Sequence, residues 1–471
     1  MQYGAHLSGL ISHFDAKGRG VFGLTLPGGV QRPVAVPFTT IGDVVLARFI
    51  KRERGLLIAA LDSITTPGPE RIPLPSPGLH QFPGAPWLHI DYPAQLRFKR
   101  DLINLAFKAA GHDERVTDVI PSSLTTFYRN RMDYAFGWKG ELGLKEYGSW
   151  SRYRDVTEDI LLSPEAPAIL EVLRVLPQRF ELKPWDNRSH EGDLRYVVIR
   201  EGKNTGHRMV ALIVKDLTRL TDELKSYLLS SLDSLATSIV LGENPLVTDL
   251  SWAERVVILK GRETLDEIVN GTRYSLHLNS FFQTNTAMAA VLQDNVWTML
   301  GRDPEGQRLH RILDLYCGLG FFGLNFAQRD PELRVYGFEL DAQAIELARR
   351  NAEQNGVAER CVFVSGPAED LSWIDSPADL VIVDPPRAGL HPRVVNALLE
   401  KKPTSIVYVS CNHNRLVEEL KRFKTSYRVV ALQALDLFPH TPHVEVVVKM
   451  MTRERLSTMG RNEPKPAILA A

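Results

Sequence analysis

From about residue 300 the chain repeats one unit: a short apolar run, a turn, then an amphipathic helix. "HRILDLYCGLGFFGLNFA" is followed by "RVYGFELDAQAIELARRNAEQNG", "CVFVSG", "ADLVIVDPPRAGLHPRVVNALLE" and "SIVYVSCNHNRLVEELKRF". This alternation predicts an α/β doubly wound parallel sheet. Ligands of such sheets bind outside the carboxyl ends of the strands. The residues at those ends are therefore the candidates for chemistry.

One of these turns, "ILDLYCGLGFFGL", runs from an apolar strand through glycines into a helix. Gly318 and Gly320 let the backbone approach a ligand where a Cβ would clash. The next strand ends in Glu339, 21 residues after Gly318, at the distance where a carboxylate accepts hydrogen bonds from ribose hydroxyls. Gly323 completes G-x-G-x-x-G, so the turn alone also suits a dinucleotide. Two features favour S-adenosylmethionine. Asp314 stands at the strand end, where it can meet an ammonium. A later strand ends in Asp384-Pro385-Pro386, where methyltransferases place a substrate-facing loop.

Composition bounds the rest. The 471 residues are too many for one core and predict two or three domains. With 44% apolar and 24% charged residues the class is soluble globular. There is no apolar run long enough to span a membrane and no secretory signal. The three cysteines, Cys317, Cys361 and Cys411, are far apart and lack metal-ligand spacing, which excludes a disulfide framework and points to a reducing cytoplasm. Fifty-six basic residues balance 56 acidic ones, so global charge does not argue for nucleic acid. Residues 1–66 read as short strands with glycine turns, a small β-barrel. The proline-rich stretch 67–86 reads as an extended linker. A helix follows over 92–112, capped by Asp91, ended by Gly111, with Leu96, Phe98, Leu102, Leu105, Ala106 and Ala109 as its apolar stripe. Residues 123–270 mix strands and helices.

Cys411 ends the run "VYVSC" on the same rim as the glycine turn. A lone buried cysteine is usually a small hydrophobe. Here Ser410, Asn412, His413 and Asn414 argue against full burial, and "NRLVEELKRF" offers a helix start that promotes ionisation. Beside a methyl donor, a thiolate can add to carbon 6 of a pyrimidine, making carbon 5 nucleophilic. The carbon 5 proton must then be removed by a base. "FPHTPHVEVVV" offers Glu445, with His440 and His443 nearby; the bland alternative is a solvated Glu on a strand.

These residues resemble the S-adenosylmethionine-dependent RNA (uracil-5-)-methyltransferases that act on tRNA and 23S rRNA. The resemblance spans roughly 1–450. "GRGVFGL" and "GDVVLARFIKR" are similar to the family's TRAM-type barrel, and "FYRNRMDYAFG" and "GDLRYVVIREG" to its central domain. "SFFQTN", "DLYCGLG", "DPPRAG", "VYVSCN" and "HVEVV" follow its catalytic motifs in order. The resemblance implies a Rossmann-like methyltransferase domain over 271–452, a TRAM-like, OB-like RNA-binding barrel over 1–66, a central α+β domain over 67–270 and a flexible tail over 453–471. It implies Cys411 as nucleophile and Glu445 as base. The cofactor S-adenosyl-L-methionine falls to Gln283, Tyr316, Gly318, Gly320, Glu339 and Asp384. Arg129, Arg131, Lys145 and Arg387 are expected to engage RNA, the partner of a cytoplasmic monomer.

Three departures stand out. Phe321 occupies a position where many members carry asparagine. His413 replaces the usual proline after "SCN" and offers a cation near the thiol. The iron–sulfur cysteines of many members fall on Ser76, Phe82, Ala85 and a position near Ile160, and no cysteine precedes Cys317. Clusters need thiolates, so none is expected, and Phe82, Trp87 and Ile160 are expected to fill that space. Two other readings stay open: a nitrogen-directed RNA methyltransferase using the "DPP" loop, and a non-catalytic RNA-binding factor with a vestigial cofactor pocket.

Overall fold

The computed structural model describes residues 2–26, 28–301, 310–376 and 378–458. Among the described residues no helix is long and apolar enough to cross a membrane. The first six strands form one sheet, in the spatial order His6–Leu10, Val44–Glu53, Leu56–Thr66, Gln31–Val36, Gly20–Thr25, His13–Phe14. Its two edge strands are successive in the chain, so the sheet must curl back on itself. Ile11 and Ser12 make the corner by donating to Asp43 and Val21 carbonyls (2.8 and 2.9 Å). Leu7, Phe22, Val34 and Val45 fill the inside.

The proline-rich stretch is not the free spacer that its composition suggests. Leu79, Phe82 and Ala85 are buried in the core of the following unit, and Arg71 is ion-paired to buried Asp43 (2.7 Å). Prolines here fix a packed path because apolar residues are interleaved between them. That core lies on a seven-stranded sheet from Arg131–Phe136 to Arg255–Lys260, covered by the helices Ala166–Arg174 and Asp222–Leu232 through Ile169, Leu173, Leu224 and Leu228.

The helix after the proline stretch, α1, spans Tyr92–Ala109. Asp91 stands at its N-cap, but its side chain makes no capping hydrogen bond. Of the expected stripe, Leu96, Phe98, Leu102 and Ala106 are partly buried against the cores, but the most deeply buried positions are others. Ala94, Gln95, Lys99, Ile103 and Phe107 face inward, while Leu105 is 61% exposed. A hydrophobic count rejects Gln95 and Lys99 from a core face; they are inside because their polar ends have partners there.

The C-terminal half contributes seven strands to an eight-stranded sheet, in chain order: β1 Arg311–Leu315, β2 Arg334–Glu339, β3 Cys361–Ser365, β4 Leu380–Val383, β5 Ser405–Ser410, β6 Tyr427–Leu435 and β7 Glu445–Thr452. Their spatial order is β3-β2-β1-β4-β5-β7-β6, and the short strand Val119–Ile120 adds beside β6. Strands β1 to β5 are parallel, and β7 inserts antiparallel between β5 and β6. The doubly wound α/β architecture read from the strand–turn–helix rhythm is therefore present. β4 and β5 are buried along their whole length, as a sheet covered on both faces requires. Of the expected tail, Arg453–Thr458 are helical; residues 459–471 lie outside the described residues.

Candidate active site

At the end of β1 the chain reverses over Tyr316 (φ 66°), Gly318 (φ 55°) and Gly320 (φ 87°). A Cβ on Gly320 would lie 2.8 Å from Leu324, and one on Gly323 would lie 2.6 Å from Val335 on β2. Gly323 thus serves helix-on-strand packing. Gly318 is different: its Cβ direction is open, so the backbone there is bare toward a ligand. Its N–H donates to Glu339 Oε2 (3.2 Å), and Glu339 Oε1 accepts from Asp341 N–H (3.0 Å).

Three carboxylates converge beside this turn. Asp314 is fully buried. Its Oδ2 accepts from Gly323 N–H (3.3 Å), while its Oδ1 has no partner. Burial, reinforced by Asp384 and Glu339, pushes Asp314 up to about 8. Burial pushes Asp384 up to about 7. A buried carboxylate oxygen without a donor is costly alone and is relieved by a cation. The orphaned oxygen and the open glycine backbone fit the ammonium and sulfonium of S-adenosylmethionine. Gln283, 6% exposed, makes no side-chain hydrogen bond among the described residues. Phe321 packs edge-on to Phe282 (5.6 Å) and Phe322 (4.8 Å), so this position presents an apolar wall instead of an amide.

The next element of the rim is β5. It ends at Ser410, and Asn412, two residues on, caps the helix α2, His413–Phe423, by accepting from Arg415 N–H (3.3 Å). It also donates to the Arg387 carbonyl (2.9 Å), which ties this turn to the "DPPRAG" loop. That loop is further held by buried Glu419 on α2, which accepts from Leu390 N–H (3.1 Å) and the Tyr408 hydroxyl (2.6 Å). Ser410 pairs with Val446 across β5 and β7, so the next residues, Cys411 and Glu445, oppose each other at the strand ends. Sequence positions 34 residues apart are brought together by the antiparallel insertion of β7.

Cys411 is half-buried and lines a cleft of about 430 Å³ with Arg129, Tyr147, Arg387, His413 and His443. Its thiol is not acidified as the helix start led us to expect. Burial pushes it up to about 11, with Glu445 and Asp384 adding to the shift and Arg387 opposing it. Glu445, 2% exposed, is raised well above the carboxylate range by burial and by Asp384, again against Arg387. His413 does not supply the expected cation: burial lowers it to about 4, so it is neutral near pH 7. His443 is lowered likewise to about 4, by burial and Arg387. Arg387 Nη2 donates to its Nδ1 (2.9 Å). His440 lies in a separate buried network.

That network was not legible in the sequence. Lys99 and Asp436, both fully buried, form an ion pair (2.6 Å). Lys99 also donates to the Phe438 carbonyl (3.0 Å), and the Tyr92 hydroxyl donates to Asp436 (3.0 Å). Gln95 accepts from His440 N–H (2.8 Å), and Trp87 N–H donates to the His440 carbonyl (2.8 Å). α1 thereby clamps the loop 436–444 that leads directly into Glu445. The only sequence signal was a lysine and a glutamine four residues apart on one helix face.

The four basic candidates fall in different settings. Arg387 and Arg129 both line the thiol cleft, and Arg129 Nε is buried without a partner. Arg131 is tied to Asp133 (2.8 Å) and the Leu278 carbonyl (2.9 Å). It lines a second cleft of about 420 Å³, shared with Arg129 and Phe281. Phe281, which the sequence does not single out, is 72% exposed two residues before Gln283. Lys145 is ion-paired with Asp249 and lines neither cleft.

Phe82 and Ala85, on two of the expected cluster-ligand positions, and Ile160, near another, pack in one apolar core. Ser76 donates to Glu158. Trp87 does not fill this space: it stacks near Phe14 (5.0 Å) and donates to the Gly18 carbonyl (2.8 Å). Without thiols these positions do not fit an iron–sulfur cluster. Among the described residues no group of three or more His, Cys, Asp or Glu is arranged to hold a metal.

The family model described as tRNA (Uracil-5-)-methyltransferase matches residues 368–453, and a methyltransferase small domain model matches 298–406. The tRNA (uracil(54)-C(5))-methyltransferase of Pyrococcus horikoshii is 36% identical over 90% of this chain and 97% of its own length. A 23S rRNA (uracil(747)-C(5))-methyltransferase of the same organism is 31% identical over 90% and 96%. The crystal structure of the Pyrococcus abyssi tRNA (uracil-54, C5)-methyltransferase, in complex with S-adenosyl-L-homocysteine, superposes with a TM-score of 0.77. It is 32% identical and covers 94% of this chain and 99% of that one. With such identity along nearly its whole length, the chain belongs to the RNA (uracil-5-)-methyltransferase family.

Proposed function

We propose that this chain methylates carbon 5 of a uridine in tRNA or 23S rRNA, with S-adenosyl-L-methionine as methyl donor. The observation that carries the reading is the opposition of Cys411 and Glu445 at the ends of adjacent strands, beside the Asp314–Asp384 carboxylates. Cys411 first loses its proton to solvent, and the thiolate sulfur bonds to carbon 6 of the uracil. The carbon 5–carbon 6 electron pair moves onto the carbonyl, making carbon 5 nucleophilic. When bound, S-adenosylmethionine supplies an electrophilic methyl group to that carbon. Glu445 then takes the carbon 5 proton, the double bond re-forms, and the sulfur leaves carbon 6. A base with a raised pKa suits this proton transfer. Arg387, felt by both Cys411 and Glu445, favours their ionised forms.

We assign the cofactor to Gln283, Tyr316, Gly318, Gly320, Glu339 and Asp384, and add Asp314. Arg129, Arg131 and Arg387 are assigned to RNA, with exposed Phe281 as a surface for an unstacked base. Lys145 is assigned a structural ion pair. The division into an RNA-binding barrel (1–66), central domain (67–270), methyltransferase domain (271–452) and tail is part of the same proposal, as are a cytoplasmic monomer and the absence of an iron–sulfur cluster. The test is transfer of a labelled methyl group to unmodified tRNA and 23S rRNA transcripts, followed by nucleoside digestion. 5-Methyluridine in one of them supports the reading. A methyl group on a ring nitrogen, or no transfer to either, rejects it.

A further inference from the structure

The strands Leu142–Lys145 and Tyr153–Asp155 are joined by a turn over residues 146–152. Tyr147, in this turn, lines the thiol cleft. Three residues on, Trp150 projects away from the core and is 59% exposed. The turn that carries it is braced: Ser149 N–H donates to the Glu146 carbonyl (3.0 Å), and Arg152 N–H donates to Ser149 Oγ (2.9 Å). The Arg188 guanidinium lies 5.2 Å from the Trp150 ring centroid, and Arg188 also donates to Ser151 Oγ (3.1 Å). A large aromatic surface is thus held out in water on a hydrogen-bonded turn, with a cation against it.

We propose that Trp150, with Arg188, is a stacking platform for a nucleotide of the RNA substrate lying outside the thiol cleft, along the strand from the target uracil. The inference rests on the methyltransferase reading. An exposed tryptophan suits a partner with a broad π-face, because every base offers one. The adjacent guanidinium supplies charge for the phosphate that accompanies that base. Continuity favours RNA: the same seven-residue turn forms part of the cleft wall at Tyr147. Trp138 provides an internal comparison. It is 63% exposed with Lys139 Nζ 4.9 Å from its ring centroid, but it lies at the other end of the hairpin, between Arg131–Phe136 and Leu142–Lys145.

The test uses the full chain with unmodified tRNA and 23S rRNA transcripts, with and without 4-thiouridine. Trp150→Ala raises KM for the methylated transcript roughly tenfold (about 1.4 kcal/mol) and leaves kcat within about twofold. Trp150→Phe keeps most of the affinity, and Trp138→Ala matches the unsubstituted chain. Irradiation of the thiouridine transcript attaches RNA to the peptide that contains Trp150. An unchanged KM for Trp150→Ala, with crosslinks confined to cleft residues, overturns the proposal and leaves this surface to a protein partner. If the unsubstituted chain methylates neither transcript yet crosslinks at Trp150, the methyltransferase reading falls and the platform stands.

Discussion

Burial, with Glu445 and Asp384, raises the Cys411 thiol to about 11, so at pH 7 the protonated thiol is the favoured form. The folded chain holds its nucleophile protonated and surrounds it with carboxyl groups that disfavour its charge. Below the thiol pKa the reactive fraction rises about tenfold per pH unit, so kcat/KM climbs with pH and shows no plateau below about pH 9. Arg387 is the cation that opposes this shift for both Cys411 and Glu445. Arg387→Gln therefore lowers kcat/KM at neutral pH and moves its rise further alkaline; an unmoved profile rejects the argument. Glu445 has a separate signature. In Glu445→Gln the sulfur can add and carbon 5 can accept its methyl, but the proton stays. Turnover falls by roughly two to four orders of magnitude, and a covalent protein–RNA species builds up on ordinary uridine RNA in denaturing gels. At this scale Cys411 and Glu445 were picked out as candidates because the proposed chemistry needs those residue types at strand ends, and the fold places both at adjacent strand ends. Their ionisation was not readable, because it follows from burial and from Asp384, which no local motif reports. His413 is the plainest case: in the sequence it reads as a cation, and in the fold it is a buried neutral ring.

α1 fixes the approach to Glu445 through charges that are out of water altogether. Lys99 and Asp436 meet at 2.6 Å with both side chains fully buried. Removing one partner strands the other charge, so Lys99→Met costs about 3–5 kcal/mol of stability. The double replacement Lys99→Met with Asp436→Leu recovers most of that loss, since an apolar pair carries no desolvation penalty. Urea denaturation of the three variants measures this; equal losses for the single and double variants contradict it. The periodicity of α1 was enough to predict a helix and much of its packed stripe, but not its buried polar positions, because Gln95 and Lys99 count as surface residues until their partners 345 and 337 positions away are known. The proline-rich stretch teaches the same lesson. Prolines announce an extended backbone, whereas Leu79, Phe82 and Ala85 between them decide that it is packed.

Across the whole molecule, three units contribute to one cleft. Lys17 comes from the curled N-terminal sheet, Arg129 and Tyr147 from the central unit, and Arg387, Cys411 and His443 from the α/β sheet. The α/β architecture was legible because strand–turn–helix rhythm is local. The joining of the units was not, because it depends on contacts such as Trp87 with Gly18 and α1 with loop 436–444. The proposed reaction rests on one bond, between the sulfur of residue 411 and carbon 6 of a uracil. RNA containing 5-fluorouracil measures it directly, since fluorine at carbon 5 cannot be removed as a proton and the adduct persists. Incubated with S-adenosylmethionine and this RNA, the chain is expected to run on a denaturing gel as an RNA-bound species, and Cys411→Ala is expected to run free. An adduct that forms equally well in Cys411→Ala, or full methylation of ordinary RNA by that variant, would contradict the account.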